Sequence, residues 1–473
     1  MSFYNGQDKL DNTRDVSAQF NIPSGFSGGT FNMDTKDLTN WGNRGFSIKW
    51  SRNWNSKLYS NAVLAYSNYF SKRDNYSTNQ RTESDSVVTS TNGFIEDNDV
   101  RDFTFRLDNE YKISQNNKLE FGTQITYNDI KYNFVLNDTM NILDREDTGT
   151  QYAMYLQDKI NLFNKVSLIC GLRSTYFNVS ERVYLEPRFS FSYKISDYLK
   201  LKGAWGKYYQ FSNRIVRESV LEGSKDFWLL AGGERIPVSS ATHYIGGISY
   251  ETPVFLIDVE ALRKDMDGLS EFTMRYSGPR MFGGPGTGGN NNEVFYEGTG
   301  ITQGIEFLLQ KKSGLYTGWI GYTICQVEHT FPDLNNGETF PALHDQTHEF
   351  KLVNSYTYRN WIFGGTFIYA TGKPYTAPVG GYELTMLDGS TIDYVHVGEK
   401  NGFRLPAYHR MDLSATYKFE LGQTNVSLGL SLFNVYGRKN VWYKEFEIEE
   451  NQLFITDMNY LGFTPTIFFG LKF

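Results

Sequence analysis

Along most of the chain, apolar and polar residues change places at every step. From Arg410 onward, Met411, Leu413, Ala415, Tyr417 and Phe419 alternate with Arg410, Asp412, Ser414, Thr416 and Lys418. After Leu421-Gly422-Gln423, Val426, Leu428, Leu430 and Leu432 alternate with Ser427, Gly429 and Ser431, and the last stretch sets Phe463, Pro465, Ile467, Phe469, Leu471 and Phe473 against Gly462, Thr464, Thr466, Gly470 and Lys472. Upstream, Phe103, Phe105, Leu107, Tyr111 and Ile113 face away from Asp102, Thr104, Arg106, Asp108, Glu110 and Lys112. A period of two places opposite chemistry on the two faces of an extended strand. The pattern predicts about seventeen strands and a partial one at the start, most of ~10–15 residues, against the ~5–6 usual in soluble sheets.

The connections alternate as well. Short ones fall near Asn53–Lys57, Gln115–Asn117, Phe163–Lys165, Ser196–Tyr198, Glu251–Pro253, Ser313–Gly314, Arg359–Asn360 and Leu421–Thr424. Long ones fall near Asn75–Asp97, Val135–Gly149, Phe211–Ser240, Gly268–Gly298, Pro332–Asp345, Pro374–Pro406 and Asn440–Thr456, with a brief exception around Ser180. Hairpins that cross one layer and put every long loop on the same side predict an all-β, antiparallel transmembrane β-barrel, with one strand face toward lipid and the other toward a hydrated lumen. Aromatics gather near strand ends, at Trp41, Trp50 and Trp54, Tyr208 and Tyr209, Tyr356, Tyr358 and Trp361, and Tyr417 and Phe419. Such rings suit headgroup depth; aromatics are also good strand formers in soluble sheets.

Composition sharpens the picture by exclusion. The 473 residues include 33 Tyr, 36 Phe and 8 Trp, yet no apolar run approaches the ~18 residues of a transmembrane helix. A net charge of -7 without basic blocks argues against a nucleic-acid partner. Two cysteines build neither a disulfide framework nor a four-thiolate site. Cys170 shares parity with Leu168 and Leu172, and Cys325 with Gly321 and Thr323, so the two are expected on opposite faces and as free thiols. The opening Met1-Ser2-Phe3-Tyr4-Asn5-Gly6 carries no secretory signal pattern.

The stretch Tyr408-His409-Arg410-Met411-Asp412-Leu413-Ser414, the run Leu432-Phe433-Asn434-Val435-Tyr436-Gly437-Arg438-Lys439-Asn440, the segment Leu461-Gly462-Phe463-Thr464-Pro465 and the terminal Phe473 resemble the C-terminal end of TonB-dependent outer-membrane receptors. Phe3-Tyr4-Asn5-Gly6-Gln7-Asp8-Lys9 and the segment from Trp41 to Tyr69 are similar to barrel strands of that family in Bacteroidetes-type bacteria. The resemblance implies that residues 1–473 are a receptor barrel domain of about 18 of an expected 22 strands, incomplete at its N-terminus and without plug domain or signal peptide, with Met1 to Gln7 at the outward end of the fifth strand. It also implies outer-membrane lipid, a plug domain, the TonB energy-transducing protein and the barrel assembly machinery as partners, with Phe473 as the assembly signal. The activity implied is active uptake of a small-molecule ligand, with a metal chelate such as a ferric siderophore preferred; a passive channel or an adhesin is the alternative.

Candidate chemistry is sparse. No nucleophile has a recognisable partner pattern, so neither a catalytic residue nor a cofactor is expected. His344-Asp345-Gln346-Thr347-His348 is the best metal constellation, but on a strand its two histidines stand roughly 13 Å apart, and no metal site is assigned. The run Gly283-Gly284-Pro285-Gly286-Thr287-Gly288-Gly289 lacks the Gly-Lys-Ser/Thr ending of a phosphate loop and reads as an extracellular loop. Stacking and charge together mark Tyr276, Arg280 and Phe282, and Tyr394, His396 and Arg404, as loop-borne ligand candidates. Lys49, Arg106, Glu110, Lys112, Glu349, Lys351 and Lys418 are expected on the lumen side, and with them Arg410 and Asp412 as candidates to face a plug.

Overall fold

The computed structural model describes residues 1–473 except 12, 21–28, 84–85, 138–139, 218–224, 234, 278–289, 386–390, 450–451 and 473. In chain order the wall strands are β1 (Ser2–Asp11 continued by Arg14–Phe20), β2 (Gly29–Asn53), β3 (Leu58–Glu83), β4 (Ser86–Lys112), β5 (Asn117–Leu136), β6 (Met140–Leu162), β7 (Val166–Phe177), β8 (Arg182–Lys194), β9 (Leu199–Gln210), β10 (Ser239–Glu251), β11 (Phe255–Ser277), β12 (Asn290–Lys311), β13 (Tyr316–Thr330), β14 (His348–Tyr358), β15 (Trp361–Ala370), β16 (Tyr408–Leu421), β17 (Thr424–Phe433) and β18 (Thr464–Lys472). Each pairs antiparallel with the next, and together with the two-residue patch Phe340–Pro341 they form one sheet. The eighteen strands match the number expected from the alternation. Between β1 and β18 no pairing is present among the described residues.

Register corrects the placement of the first residues. Ser2 lies opposite Ser47, six residues from the β2–β3 turn, and Phe20 lies opposite Gly29. Met1 to Gln7 therefore occupy the inner part of their strand, and its outward end is Phe20. Several segments expected as long loops are instead continuations of the wall. Residues 75–83 and 86–97 belong to the paired ends of β3 and β4, and residues 268–277 and 290–298 to those of β11 and β12. Backbone pairing continues there without the sustained apolar alternation that marks the lower strands.

Exposed apolar side chains form outward rows on the wall. On β4 Phe103, Phe105 and Tyr111 are exposed, as is Ile113 just beyond its end, and on β6 Tyr152, Met154, Leu156 and Leu162. From Phe103 to Ile113 the rise, corrected for barrel tilt, is about 25 Å, the height of an outer-membrane apolar band. Aromatic rings mark its outer border, with Tyr66–Phe103 centroids 4.7 Å apart, Phe103–Tyr127 6.3 Å and Tyr152–Tyr176 6.3 Å. One step further out the same face turns ionic, where Arg101 pairs with Asp99 at 2.8 Å and Asp129 at 3.6 Å. At the inner border Trp50 and Trp54 meet at 6.1 Å and Trp361 and Tyr417 at 4.9 Å.

The inner turns are tight. Phe163 and Asn164 both have positive φ, 50° and 56°, which is the type I′ geometry that matches strand twist in a two-residue hairpin. The outer end of β11 bends at a bulge between Asp267 and Leu269, where Gly268 takes φ 68°; a side chain there would strain the backbone. Among the described residues, the compact apolar cores lie in the outer region. The largest joins Tyr132, Phe134, Leu143, Ile215, Phe227, Leu229, Ala231, Ile236 and Phe272.

Cys170 on β7 is exposed and Cys325 on β13 is half-buried; both are free. Six strand-to-strand steps, about 30 Å along the wall, separate them. Unreduced protein is expected to show no intramolecular cross-link by electrophoresis and to take up two maleimides after unfolding; a Cys170–Cys325 bridge would overturn the register. Replacing Leu156 by Arg puts a cation near mid-belt and is expected to cost ~2–4 kcal/mol in lipid refolding titrations. A neutral outcome would mean that this face does not meet lipid.

Candidate functional site

The outer ends of the strands differ in height, and that difference shapes the mouth. β7 and β8 stop at Phe177 and Arg182, β9 and β10 at Gln210 and Ser239, whereas β4–β6 on one side and β11–β12 on the other continue outward. A two-stranded hairpin, Ser212–Arg217 with Lys225–Leu230, fills the notch and touches β5 and β6 on one side and β11 on the other. Phe227 is its keystone, stacked on Tyr132 at 4.6 Å and set edge-on to Phe272 at 5.2 Å. Arg145, buried beside this cluster, lies over Phe295 at 5.7 Å. Desolvation, with Arg235 nearby, lowers its pKa to about 10 against the opposing pull of Asp147.

A second body is assembled from segments 331–347 and 371–407. Asp345 is fully buried; its carboxylate accepts the Val327 N–H at 2.8 Å and the Arg404 guanidinium at 2.6 Å, and Arg404 donates also to the Gly372 carbonyl at 3.1 Å. Buried Asn401 donates from its amide to the Pro341 carbonyl at 2.8 Å, and its backbone N–H donates to Thr376 Oγ1 at 3.1 Å. The neighbouring Lys400 reaches Glu271 of β11 at 2.8 Å. This ion pair ties the segment to the strand extension across 129 positions in sequence.

His329, at the outer end of β13, shares the inward row with Cys325, its strand partner being Gly300. The turn after Phe340–Pro341 brings His344 back to it, with ring centroids 6.3 Å apart and the planes at 64°. Phe331 and Phe340 flank His329 at 6.3 and 6.4 Å. Burial, then the neighbouring His344 and Lys400, lowers the His329 pKa to about 4, so its ring is neutral at ordinary pH. His348 goes elsewhere, its Nδ1 lying 3.0 Å from the Tyr322 hydroxyl. The HDQTH segment therefore divides between two environments, and among the described residues no three His, Cys, Asp or Glu side chains converge as a metal cluster.

Below the mouth, the inward faces carry charges that are largely paired within the wall. Arg106 binds Asp108 at 2.8 Å, and Tyr155 donates its hydroxyl to the same carboxylate at 2.6 Å. Lys118 bridges Glu110 and Glu120, Lys202 bridges Asp258 and Glu260, and Lys351 binds Glu349 at 2.7 Å. Arg410 and Asp412 meet at 3.0 Å. Arg410 also lies over the Phe433 ring at 4.3 Å and donates to the Tyr408 hydroxyl, while Asp412 accepts the Asn434 N–H at 2.9 Å. Both thus hold the turn after β17 in addition to lining the interior.

The other candidates are spread over the outer region. Tyr276 sits opposite Asn291 near the tip of the β11–β12 hairpin, and Arg280 and Phe282 lie outside the described residues, as do the glycine run and Phe473. Tyr394 and His396 fall in a second small hairpin, opposite Tyr382 and Gly380, with His396 exposed. Arg404 is committed to Asp345. Asp345, Lys400 and Glu271, which organise this region, and His329, which closes on His344, carry no local sequence signal beyond the HDQTH run; their partners are distant in sequence.

The family description "TonB dependent receptor-like, beta-barrel" matches residues 2–435. Among solved structures, BauA, the ferric preacinetobactin receptor from Acinetobacter baumannii, aligns at 11% identity and TM-score 0.57 over 99% of this chain and 73% of its own. The outer membrane transporter YddB from Escherichia coli aligns at 10% identity and TM-score 0.54 over 98% and 75%, and the siderophore receptor PirA from Acinetobacter baumannii at 10% and 0.53 over 93% and 77%. No curated protein matches the chain.

Arg404→Ala leaves the Asp345 carboxylate buried without its cation. The expected result is faster hydrogen exchange and protease cleavage within 341–347 and 371–407, with the heat-dependent electrophoretic shift of the wall unchanged. Equal loosening of wall and loops would show that Arg404 is not a local clamp.

Proposed function

Since the chain belongs to the TonB-dependent receptor β-barrel family, we propose that it forms the wall of an outer-membrane receptor that takes up a scarce nutrient by energised transport, and that the nutrient is a metal chelate such as a ferric siderophore. The observation that carries this reading is the outer mouth: aromatic rings and cations held on cross-braced segments above a lumen whose own charges are largely paired. Such a surface offers stacking and charge to an anionic, aromatic chelate. The printed descriptions of structural neighbours point the same way, since they include a ferric preacinetobactin receptor, a siderophore receptor and a ferric enterobactin receptor in complex with enterobactin.

In this reading Tyr276, Arg280, Phe282, Tyr394 and His396 are ligand contacts, while Arg404 acts through Asp345 as a local support. Arg410, Asp412 and the bridging Lys202 face a plug domain, whose polar groups meet the wall through charge-assisted hydrogen bonds. Phe473 serves as the recognition end for the barrel assembly machinery. A wall in lipid tolerates no free edge, so in this reading the outer edges of β1 and β18 are both paired.

The test is uptake of radioactive iron as a panel of ferric siderophores by cells carrying the complete gene, with and without the TonB protein. Saturable uptake that disappears with TonB is expected. Uptake indifferent to TonB would favour a passive channel, and surface attachment without uptake an adhesin.

A further inference from the structure

One inward row beneath the mouth carries cations that the wall does not neutralise. Register sets Arg188 of β8 opposite Gly206 of β9, Gly206 opposite His243 of β10, and His243 opposite Lys264 of β11. Each lies on the strand face turned away from the exposed apolar row, which Phe189, Trp205, Tyr244 and Ile257 mark on these four strands. Gly206 leaves the middle of the row open and the exposed Tyr208 of the same strand lies against it, since a Cβ there would meet the Tyr208 hydroxyl at 2.8 Å and its ring at 3.0 Å. The Arg188 guanidinium sits over that ring at 5.7 Å, and the His243 ring is 4.9 Å from it.

Elsewhere in the lumen Lys118, Lys202 and Lys351 are held by wall carboxylates. In this row the balance differs. Glu186 is shared between Arg173 at 3.4 Å and Arg188 at 3.6 Å, which leaves the two arginines one positive charge in surplus. Lys264 has His243 on one side and Thr302 on the other, neither of them a carboxylate. Among the described residues, neither its ammonium nor the Tyr208 hydroxyl has a hydrogen-bond or ion-pair partner. Lys264 also stands within electrostatic reach of the braced body above: burial, and then Lys264 and Lys373 against the pull of Asp345, lowers the His344 pKa.

We propose that Arg188, Lys264 and the Tyr208 hydroxyl form an anion-binding step under the mouth, with His243 holding the Tyr208 ring, and that this step takes a carboxylate or phenolate which the incoming chelate keeps free of its metal. The inference rests on the uptake reading above and narrows its cargo to chelates with an anionic group outside the metal sphere. Arg188 offers a planar fork and Lys264 a mobile point charge, three strand-to-strand steps or about 14 Å apart along the row, with the phenol donor between them. A carboxylate already bound to the metal has given much of its charge to the ion, so a free one gains more from these cations. A plug carboxylate has the same chemistry. The height of the row favours cargo, because Tyr208 lies just below the outer end of β9 at Gln210 and Lys264 just below the bulge at Gly268, where entering molecules first meet the lumen wall.

The experiment measures binding to the complete receptor in detergent by isothermal titration, with the ferric complex of N-succinyl-desferrioxamine B as probe and its methyl ester as the uncharged match. The two share one metal sphere and differ in a single free carboxylate. The acid is expected to bind about tenfold tighter than the ester. That preference should shrink in Arg188→Gln, in Lys264→Gln and in Tyr208→Phe, vanish in the Arg188→Gln/Lys264→Gln double variant, and survive in Lys351→Gln, whose cation is already held by Glu349. Equal binding of acid and ester, an undiminished preference in the double variant, or its loss in Lys351→Gln would overturn the proposal. If the double variant keeps the preference and instead loosens the plug in hydrogen exchange, the row holds a plug carboxylate and the cargo assignment falls. If neither probe binds and TonB-dependent uptake of ferric siderophores persists, the anion-binding inference falls and the uptake reading stands. If the preference behaves as expected and no uptake is TonB-dependent, the uptake reading falls and the row remains an anion site without the cargo role assigned to it.

Discussion

A backbone amide in hydrocarbon has no water to turn to, and the alternative to a partner strand is an unmet hydrogen bond worth several kcal/mol. This chain meets that demand with an antiparallel ladder of eighteen strands between Ser2 and Lys472. Everything else is placed by that ladder. It directs alternate side chains to lipid and lumen, sets the aromatic borders about 25 Å apart, and lifts the outer hairpins into water at heights fixed by where each strand stops pairing.

Unequal strand heights then create a problem of their own. The low rim at β7–β10 between the tall walls of β4–β6 and β11–β12 would leave Tyr132, Phe134 and Phe272 in water. The 212–230 hairpin covers them, and apolar packing around Phe227 makes the mouth a solid structure. On the other side polar clamps do comparable work: buried Asp345 with Arg404, and Lys400 with Glu271. Segments held in this way keep little conformational entropy to lose, which is the physical consequence of bracing loops against a rigid wall.

Much of this was legible in the residues. Alternation at Met411–Phe419 and Phe103–Ile113 gave strands, faces and strand count, because a period of two is a local property that backbone geometry converts directly into direction. Extensions such as 75–83 and 86–97 were not legible, since their residues carry no sustained apolar alternation, and Phe94, which packs there, does so against Phe134 of the next strand. The HDQTH segment misled in an instructive way. Its histidines look like a pair by spacing, yet the chain turns between them, giving His344 to His329 and His348 to Tyr322.

What the sequence by itself determined is the wall: a hairpin sheet with one lipid-facing side and all long excursions at one end, because side-chain alternation and turn length are written within a few residues of each other. What only the tertiary structure decided is which excursions brace one another and which polar side chains they bring together. Arg404 finds Asp345 across 59 positions and Lys400 finds Glu271 across 129. Such pairings depend on strand height, tilt and twist accumulated around the sheet, and no local pattern records that sum.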